Sequence, residues 1–288
     1  MTAPLIRALA AREADEAVEW AAREGWNPGR ADAAAFLAQD PRAFRGLFVD
    51  GALAVTLSAT AYDGGFTFIG FYICRPDLRG RGLGYALWQD TLGRIGGTLG
   101  LDGVLAQEKN YARSGFVLAH RNIRYGGKAP AGMPDPRVVA IAPAQRGGVA
   151  HAVAHLNAVA QLDRTCFGFA RPAFLGAWLA PPFGHAMAFV ADGAVKGFGV
   201  IRACREGHKI GPLFADDPAV ADALFRTLAA TVPGAPVFLD VPEPNAAARR
   251  LAKAAGLSPV FETARMYRGA APDLPLGRIF GITTFELG

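Results

Sequence analysis

IGFYICRPDLRGRGLGYALW, residues 69–88, carries the strongest signal in the sequence. Its apolar start predicts a strand that ends before Pro76, and the apolar residues after Gly82 recur at helical spacing. Between strand and helix, glycines stand at alternate positions from Gly80 to Gly84. Because glycine lacks a Cβ and a helix N-terminus offers unpaired N–H groups, this turn predicts a phosphate-binding site.

The glycine pattern narrows the kind of phosphate site. A dinucleotide motif GxGxxG would need glycine at Tyr85 or Leu87, and no GK[ST] follows for a P-loop. An ordinary basic, glycine-rich surface turn is the alternative, and the strand before the turn and the helix after it favour the phosphate site. The remaining pattern is RxxGxG, Arg79-Gly80-Arg81-Gly82-Leu83-Gly84. It resembles the pyrophosphate loop of the GNAT superfamily of acyl-CoA N-acyltransferases, and we refer to residues 79–84 as the cradle.

The resemblance implies acetyl-CoA as the cosubstrate and the thioester as the group that is attacked. The residues implied in coenzyme binding lie at the strand end and in the cradle: Phe71, Tyr72, Ile73, Arg79, Gly80, Arg81, Gly82, Leu83 and Gly84. The Ile73 amide is expected to hold the oxyanion. No metal is expected, because His151 and His155 have helical spacing but residue 152 is alanine, so the HExxH zinc motif is absent.

A second motif, NYARSGF, spans residues 110–116. Tyr111 stands four residues before a Gly-Phe pair, as does the tyrosine that often serves as general acid in the family; a packing tyrosine is the alternative. The family's coenzyme-binding asparagine would fall at Val104, which predicts a short or irregular helix before Tyr111. The general base stays open, since Glu108 and Asp63 are each predicted to be solvated carboxylates.

The chain is predicted to contain two related halves. The Gly/Pro-rich stretch after Gly126 predicts a catalytic domain at residues 1–126, a linker at 127–136 and a second domain at 137–288. Asp-Gly hairpin turns recur 142 residues apart, at Asp50 and Asp192. Helix-ending glycines recur 141 residues apart, at Gly115 and Gly256. Such pairs are common, so chance competes with a duplication.

With both halves considered, the chain resembles a tandem GNAT protein over nearly its whole length. The implied fold class is α/β (α+β), with two tandem GNAT-like domains, each a mixed, mostly antiparallel sheet flanked by helices. The second half is predicted to be degenerate, because Asp216 and Asp217 stand where a phosphate would sit and Ala252 replaces the tyrosine. Asn245 is predicted to cap a helix. These features predict one coenzyme site per chain.

The acceptor is predicted to be the primary amine of a small molecule, since a second domain can enclose the cleft. Trp26 and Asn27 lie in the rigid loop GWNPG that would border that cleft, although a tight turn anchored by Trp26 would show the same residues. Asp163 and Arg171 either reach the cleft or form a salt bridge. A coenzyme-binding sensor or scaffold, and transfer of a longer acyl or aminoacyl group, are the alternative functions.

Composition excludes several other classes of protein. With 51% hydrophobic and 19% charged residues, the chain can bury a core and is not disordered. The net charge of +5 is scattered, which argues against nucleic-acid binding. No apolar run long enough for a membrane span and no signal peptide is recognised. Three distant cysteines fit the reducing cytoplasm. Monomer and homodimer both stay open.

Overall fold

The computed structural model describes residues 4–141 and 149–288, which form one 13-stranded sheet with eight helices. The first half contains β1 (Leu5–Ala8), α1 (Ala11–Arg23), α2 (Asp32–Gln39), β2 (Phe44–Val49), β3 (Ala52–Tyr62), β4 (Phe66–Cys74), α3 (Leu83–Leu92), β5 (Thr98–Val104), α4 (Glu108–Arg113) and β6 (Val117–Lys128). The second half contains β7 (Val138–Ala140), α5 (Val149–Phe167), α6 (Pro172–Trp178), β8 (Gly184–Ala191), β9 (Ala194–Ala203), β10 (His208–Ala215), α7 (Pro218–Ala229), β11 (Pro236–Pro242), α8 (Ala246–Ala254), β12 (Ser258–Arg268) and β13 (Ile279–Gly281).

Apart from β13, the two halves have the same order of elements, so the predicted tandem arrangement is confirmed. Both Asp-Gly pairs form the hairpin turns expected of them, between β2 and β3 and between β8 and β9. Asp50 and Asp192 have φ of 48° and 52°, values that two-residue hairpins require and that Asp tolerates. The sheet is mostly antiparallel with helices packed on it, which confirms the predicted fold class.

The halves exchange their last strands. The strand order is β1-β2-β3-β4-β5-β12-β6-β11-β10-β9-β8-β7, so β12 of the second half lies between β5 and β6 of the first. Thr263 to Arg268 of β12 pair antiparallel with Val104 to Leu99 of β5, and β6 pairs with β11 on its other side. Each half therefore completes the sheet of the other, and the two form one continuous sheet.

The segment predicted as a linker begins inside a strand. Gly126 and Gly127 belong to β6, which extends to Lys128 and pairs with β11. Here glycine leaves room for neighbouring side chains, because Phe238 and Leu257 lie directly against the two positions. The glycines were interpreted as part of a linker. At these two positions, however, glycine makes room for packed side chains within a strand and does not form a turn.

Buried ion pairs join the halves. Arg124 donates two hydrogen bonds to Asp240, at 2.6 and 2.8 Å, and Arg265 donates two to Asp102, at 2.8 and 2.6 Å. Removing one partner of such a pair would leave an uncompensated buried charge, so these contacts fix how the halves meet. Within the second half Arg171 binds Asp163 at 2.8 and 2.7 Å, which confirms the salt-bridge alternative for those two residues.

Each half has one pair of neighbouring parallel strands, and both pairs separate partway along. β4 pairs with β5 only from Phe66 to Ile69, after which β4 follows β3 and β5 follows β12, leaving a gap in the sheet. β10 pairs with β11 only from His208 to Ile210. There the gap is filled by β13, whose Gly281 pairs with Leu213. Only the gap of the first half is therefore open among the described residues.

Candidate active site

Two cavities meet at the open gap between β4 and β5. The outer groove, about 430 Å³, lies between α3 and α4, and the inner chamber, about 380 Å³, lies towards the second half. The gap connects opposite faces of the sheet, since Tyr72 packs on Trp88 of α3 whereas Phe71 packs on Phe36 of α2. Three residues line both cavities and so lie where the two meet: Tyr72, Gln107 and Tyr111.

The cradle leads into α3 with its backbone amides uncovered. Gly80 and Gly82 both have φ of +77°, a left-handed conformation that favours glycine. Gly82 is the N-cap of α3 and no side-chain oxygen caps this helix; the first helical bond runs from the Ala86 amide to the Gly82 carbonyl, at 3.0 Å. The amides of residues 83–85 precede that bond and lie at the positive end of the helix dipole. These residues fit the diphosphate of coenzyme A.

The two cradle arginines have backbone partners in the structure. Arg79 donates to the Cys74 carbonyl at 3.0 Å and also binds Glu24, so it joins the end of β4 to the end of α1. Arg81 donates to the Asp77 carbonyl at 3.3 Å and is exposed. Arg79 lines the inner chamber, whereas Arg81 lies outside it.

In the second half a carboxylate takes the place that the cradle leaves open. Asp217 is the N-cap of α7 and accepts from the amides of Ala219 and Val220, at 2.8 and 2.9 Å. The neighbouring Asp216 binds Arg278. Because the protein's own carboxylate already uses the amides at this helix end, a phosphate has nothing to bind there.

The remaining features of the second half agree with a closed site. Asn245 caps α8 by accepting from the Ala248 amide at 3.0 Å, as predicted. Its side-chain N–H groups also bind the Ile279 carbonyl at 3.0 Å and thereby hold β13 in the gap. At the position of the tyrosine, Ala252 is buried in the core.

Tyr111 lies where the two cavities meet. Its ring packs on Trp88, with centroids 5.5 Å apart, and lies over β5 at Gly103, where a Cβ would approach the ring to 2.5 Å. Burial, and then the neighbouring Tyr72, raise the pKa of the Tyr111 hydroxyl above its ordinary value near 10. The phenol therefore keeps its proton at neutral pH. α4 has only six residues, which confirms the short helix predicted before this tyrosine.

The strand register directs the Ile73 amide away from the gap. Arg75 donates to the Ala54 carbonyl at 3.0 Å, and hydrogen-bonded pairs alternate along antiparallel strands. Ile73, opposite Thr56, consequently faces β3, whereas the amide of Tyr72 faces the gap. A bulge at this point, where Phe71 has φ of 45°, produces the arrangement. The geometry thus differs from the prediction that Ile73 holds the oxyanion.

Trp26 and Asn27, the two residues of the GWNPG loop predicted to border the acceptor cleft, make different contacts. Trp26 lines the inner chamber, and its carbonyl accepts from Arg124 at 2.6 Å. Asn27 does not line the chamber. Its amide side chain donates to the Glu206 carbonyl at 2.8 Å and accepts from the Glu206 amide at 3.0 Å, so it ties the loop to the second half.

Four chamber residues from the second half have no counterpart among the predicted site residues. Phe261 and Thr263 lie on β12, and Phe285 and Glu286 lie in the segment after β13. The strand exchange brings the first pair to the chamber, and no local pattern announces that exchange. A lone charged residue, the glutamate in the ending ITTFELG, is a signal that could have indicated the second pair.

The two carboxylates considered as general bases lie elsewhere. Glu108 binds Arg121 at 2.7 Å, and Asp63 is in the exposed turn between β3 and β4; neither lines the chamber. Cys74 does line it, and burial raises the pKa of its thiol, which makes it a poorer nucleophile.

In the described chain no group of three His, Cys, Asp or Glu is placed to hold a metal; the His151 side chain lies outside that part. None of the described helices has the length and apolar character to span a bilayer.

Comparison with known proteins agrees with this geometry. The sequence profile of the acetyltransferase (GNAT) domain family matches residues 159–281, which lie in the half without the cradle. Holothin acyltransferase of Pseudoalteromonas sp. (strain SANK 73390) is 30% identical over 275 residues, covering 94% of this chain and 90% of that protein. The chain belongs to the GNAT superfamily, in its tandem form, and is an N-acyltransferase.

Two solved structures share the fold over the whole molecule. A putative acetyltransferase from Pyrococcus horikoshii superimposes with a TM-score of 0.81 at 22% identity, covering 100% of this chain and 97% of that one. A tandem GNAT protein from the clavulanic acid biosynthesis pathway superimposes with a TM-score of 0.64 at 16% identity, covering 94% and 100%. At these identities the likeness concerns the fold alone.

Proposed function

We propose that the chain transfers the acetyl group of acetyl-CoA to the primary amine of a small molecule. The observation that carries this proposal is the open gap between β4 and β5, with the uncovered cradle and outer groove on one side, the inner chamber on the other and Tyr111 lining both cavities. The name of the relative holothin acyltransferase supports acyl transfer as the reaction of this chain.

In this proposal the coenzyme diphosphate binds the cradle amides, and the pantetheine arm follows the outer groove into the gap. Gln107 and Asn110 line that groove and offer amide groups where the usual asparagine position is Val104. When bound, acetyl-CoA supplies a thioester, which is an activated acyl carbon with a thiolate leaving group. The acceptor reaches this carbon from the inner chamber.

Two groups of this chain then act on the reaction. The Tyr72 amide faces the gap and donates a hydrogen bond to the oxygen that becomes negative as the amine attacks. The Tyr111 hydroxyl, which burial keeps protonated, donates its proton to the sulfur as the C–S bond breaks. Both groups lie at the point that the outer groove and the inner chamber share.

Tyr111→Phe is expected to lower kcat by at least about tenfold and to change acetyl-CoA affinity little. The phenyl ring keeps its packing on Trp88, whereas the proton donor is lost. Steady-state thiol release and calorimetric titration with acetyl-CoA measure the two quantities. Tyr125→Phe is the matched control, because Tyr125 lies on β6 away from both cavities and packs against core residues of the second half. An unchanged kcat in Tyr111→Phe would remove Tyr111 from the mechanism.

One equivalent of acetyl-CoA is expected to bind per chain. In the second half Asp217 occupies the helix end and β13 fills the gap, so within residues 4–141 and 149–288 the open site is that of the first half. Calorimetric titration with acetyl-CoA gives the stoichiometry directly. Two equivalents per chain would contradict the single site.

The whole proposal is tested by thiol release from acetyl-CoA over a panel of amines that includes holothin. Transfer to at least one small primary amine is the expected result. Binding of acetyl-CoA without transfer to any amine would instead indicate a sensor or scaffold. Faster transfer from longer acyl or aminoacyl donors than from acetyl-CoA would change the identity of the acyl group.

A further inference from the structure

Three carboxylates line the inner chamber in the described chain, and they differ in what they bind. Asp102 accepts two hydrogen bonds from Arg265 and a third from Asn122. Glu24 is held by Arg79 at the chamber wall. Glu286 accepts from the Thr284 hydroxyl through Oε2, but its Oε1 has no partner among the described residues although the residue is only 2% exposed. Buried polar atoms are almost always hydrogen-bonded, so Oε1 needs a donor that the described residues do not supply.

A second unpaired polar atom lies on the same chamber. Thr263 on β12 is 2% exposed, lines the chamber, and its Oγ1 also has no partner in the part of the chain that the structure describes. A carboxylate oxygen accepts hydrogen bonds only, and a hydroxyl oxygen accepts as well as donates. Together Glu286 and Thr263 match the donors of a primary ammonium group.

The cations around Glu286 do not form hydrogen bonds with it. Arg124 on β6, Arg202 on β9 and Lys209 on β10 act on it electrostatically. Asp240 and Asp32 form hydrogen-bonded pairs with the two arginines. Burial, and then Arg124, lower the pKa of Lys209, whose Nζ has no hydrogen-bond partner in the described residues. Among the residues that the structure describes, no cation is hydrogen-bonded to Glu286.

Aromatic rings form much of the remaining wall of the chamber. Trp26 and Phe71 come from the first half, and Phe261 and Phe285 come from the second, with their ring centroids 5.9 Å apart. Arg124 stacks over Phe285 at 4.5 Å while it binds Asp240, so this ring is held firmly. An acceptor with an apolar body gains by burying it here, whereas a second charge on the acceptor would lose its hydration against these rings.

We infer that the second half builds the acceptor subsite, in which Glu286 and Thr263 bind the ammonium of a small monoamine with an apolar body and Glu286 removes its proton. The inference rests on the proposed function and names the acceptor class and the base for the same site. It gives the second half a direct part in the reaction, although that half has no coenzyme site of its own.

The acceptor ammonium loses a proton before its nitrogen attacks the thioester. An ammonium N–H bond breaks and its proton goes to Glu286 Oε1, which frees the nitrogen lone pair. The lone pair forms the C–N bond to the thioester carbon, and the C–S bonding pair leaves with sulfur, which takes the Tyr111 proton. The second proton on the new amide nitrogen returns to the Tyr111 oxygen, and Glu286 releases its proton to water when the product leaves.

Glu286→Gln tests the base. With benzylamine as acceptor we expect kcat/KM at pH 7 to fall about 100-fold, because the amide side chain accepts no proton. The deficit is expected to shrink as the pH approaches the pKa of the amine, since the free amine then enters already deprotonated. Affinity for acetyl-CoA is expected to stay within about twofold of the wild-type value. A purely structural role would lower activity equally at every pH and would weaken coenzyme binding.

Two further variants support the test. Glu262→Gln removes a neighbouring carboxylate on β12 that lies outside the chamber, and it is expected to behave as wild type. Thr263→Val removes one hydrogen-bond partner without changing the size of the side chain. It is expected to raise KM for benzylamine about fivefold and to leave kcat within about twofold. If Glu286→Gln does not fold, Thr263→Val and Glu286→Asp carry the test by the same KM and pH readouts.

An acceptor panel separates the inference from the proposed function. Benzylamine and tyramine are expected to be acetylated with higher kcat/KM than spermine or lysine, which carry additional charges. Wild-type enzyme that acetylates no amine would refute the proposed function. Wild-type enzyme that is active, together with a Glu286→Gln variant of equal kcat/KM and pH profile, would refute only the role of Glu286. Preference for spermine or lysine would refute the acceptor class.

Discussion

Residues 1–133 expressed alone are expected to show no cooperative unfolding transition and no binding of acetyl-CoA. Without the second half, β5 loses β12 and β6 loses both of its neighbours, β11 and β12. Asp102 and Arg124 would also lose their buried partners, at a cost of about 3–5 kcal/mol for each broken pair. A domain is stable by only about 5–15 kcal/mol in total, so these losses suffice to unfold the fragment.

Circular dichroism during thermal unfolding and calorimetry with acetyl-CoA measure the outcome. The control is co-expression of residues 1–133 with residues 134–288, which is expected to restore a folded, coenzyme-binding complex. The cut follows Met133, which is 91% exposed and lies between β6 and β7, so it removes no strand pairing. A sharp unfolding transition in the isolated fragment would show that the strand exchange is dispensable.

Gly82→Asp is expected to weaken acetyl-CoA binding about 100-fold, or about 2.7 kcal/mol. The substitution places a carboxylate at the N-cap of α3, as Asp217 does at α7. Two unit charges 4 Å apart repel by about 1 kcal/mol in water and by about 4 kcal/mol near a protein surface, and a diphosphate carries more than one charge. Aspartate tolerates a positive φ and suits a helix N-terminus, so Tm is expected to change little.

Gly82→Asn is the matched control, since it has the same shape and backbone tolerance without the charge. Calorimetry gives the affinity and thermal unfolding gives Tm for both variants. Equal affinities in the two variants would mean that the charge at this helix end does not matter to coenzyme binding. A large fall in Tm for Gly82→Asn would instead assign the effect to backbone strain.

The fold class, the duplication and the cradle could be predicted from sequence because each is encoded locally. An Asp-Gly pair requires a particular backbone conformation wherever it occurs, and Asp50 and Asp192 both adopt it. The glycines of the cradle likewise follow from the conformation of one turn. The closed second half was also predictable, since a carboxylate at Asp217 excludes a phosphate by its charge alone.

The chamber could not be predicted, because it depends on contacts between residues far apart in the chain. Nothing in the local sequence of β12 says which strand it pairs with. Thr263 comes to the chamber through that pairing, and Glu286 comes with it through the segment after β13. The direction of the Ile73 amide likewise depends on a bulge at Phe71, which only the strand register reveals.

The position of β12 also governs the order in which a newly made chain can acquire its structure. β5 ends at Val104 and β12 begins at Ser258, so about 150 residues must be translated between them. At about 5–20 residues per second, the edges of β5 and β6 stay without partners on the ribosome for roughly 8–30 seconds. Unpaired edges invite pairing with other chains, so production of this enzyme in a host cell should depend on chaperones and on slow synthesis at low temperature.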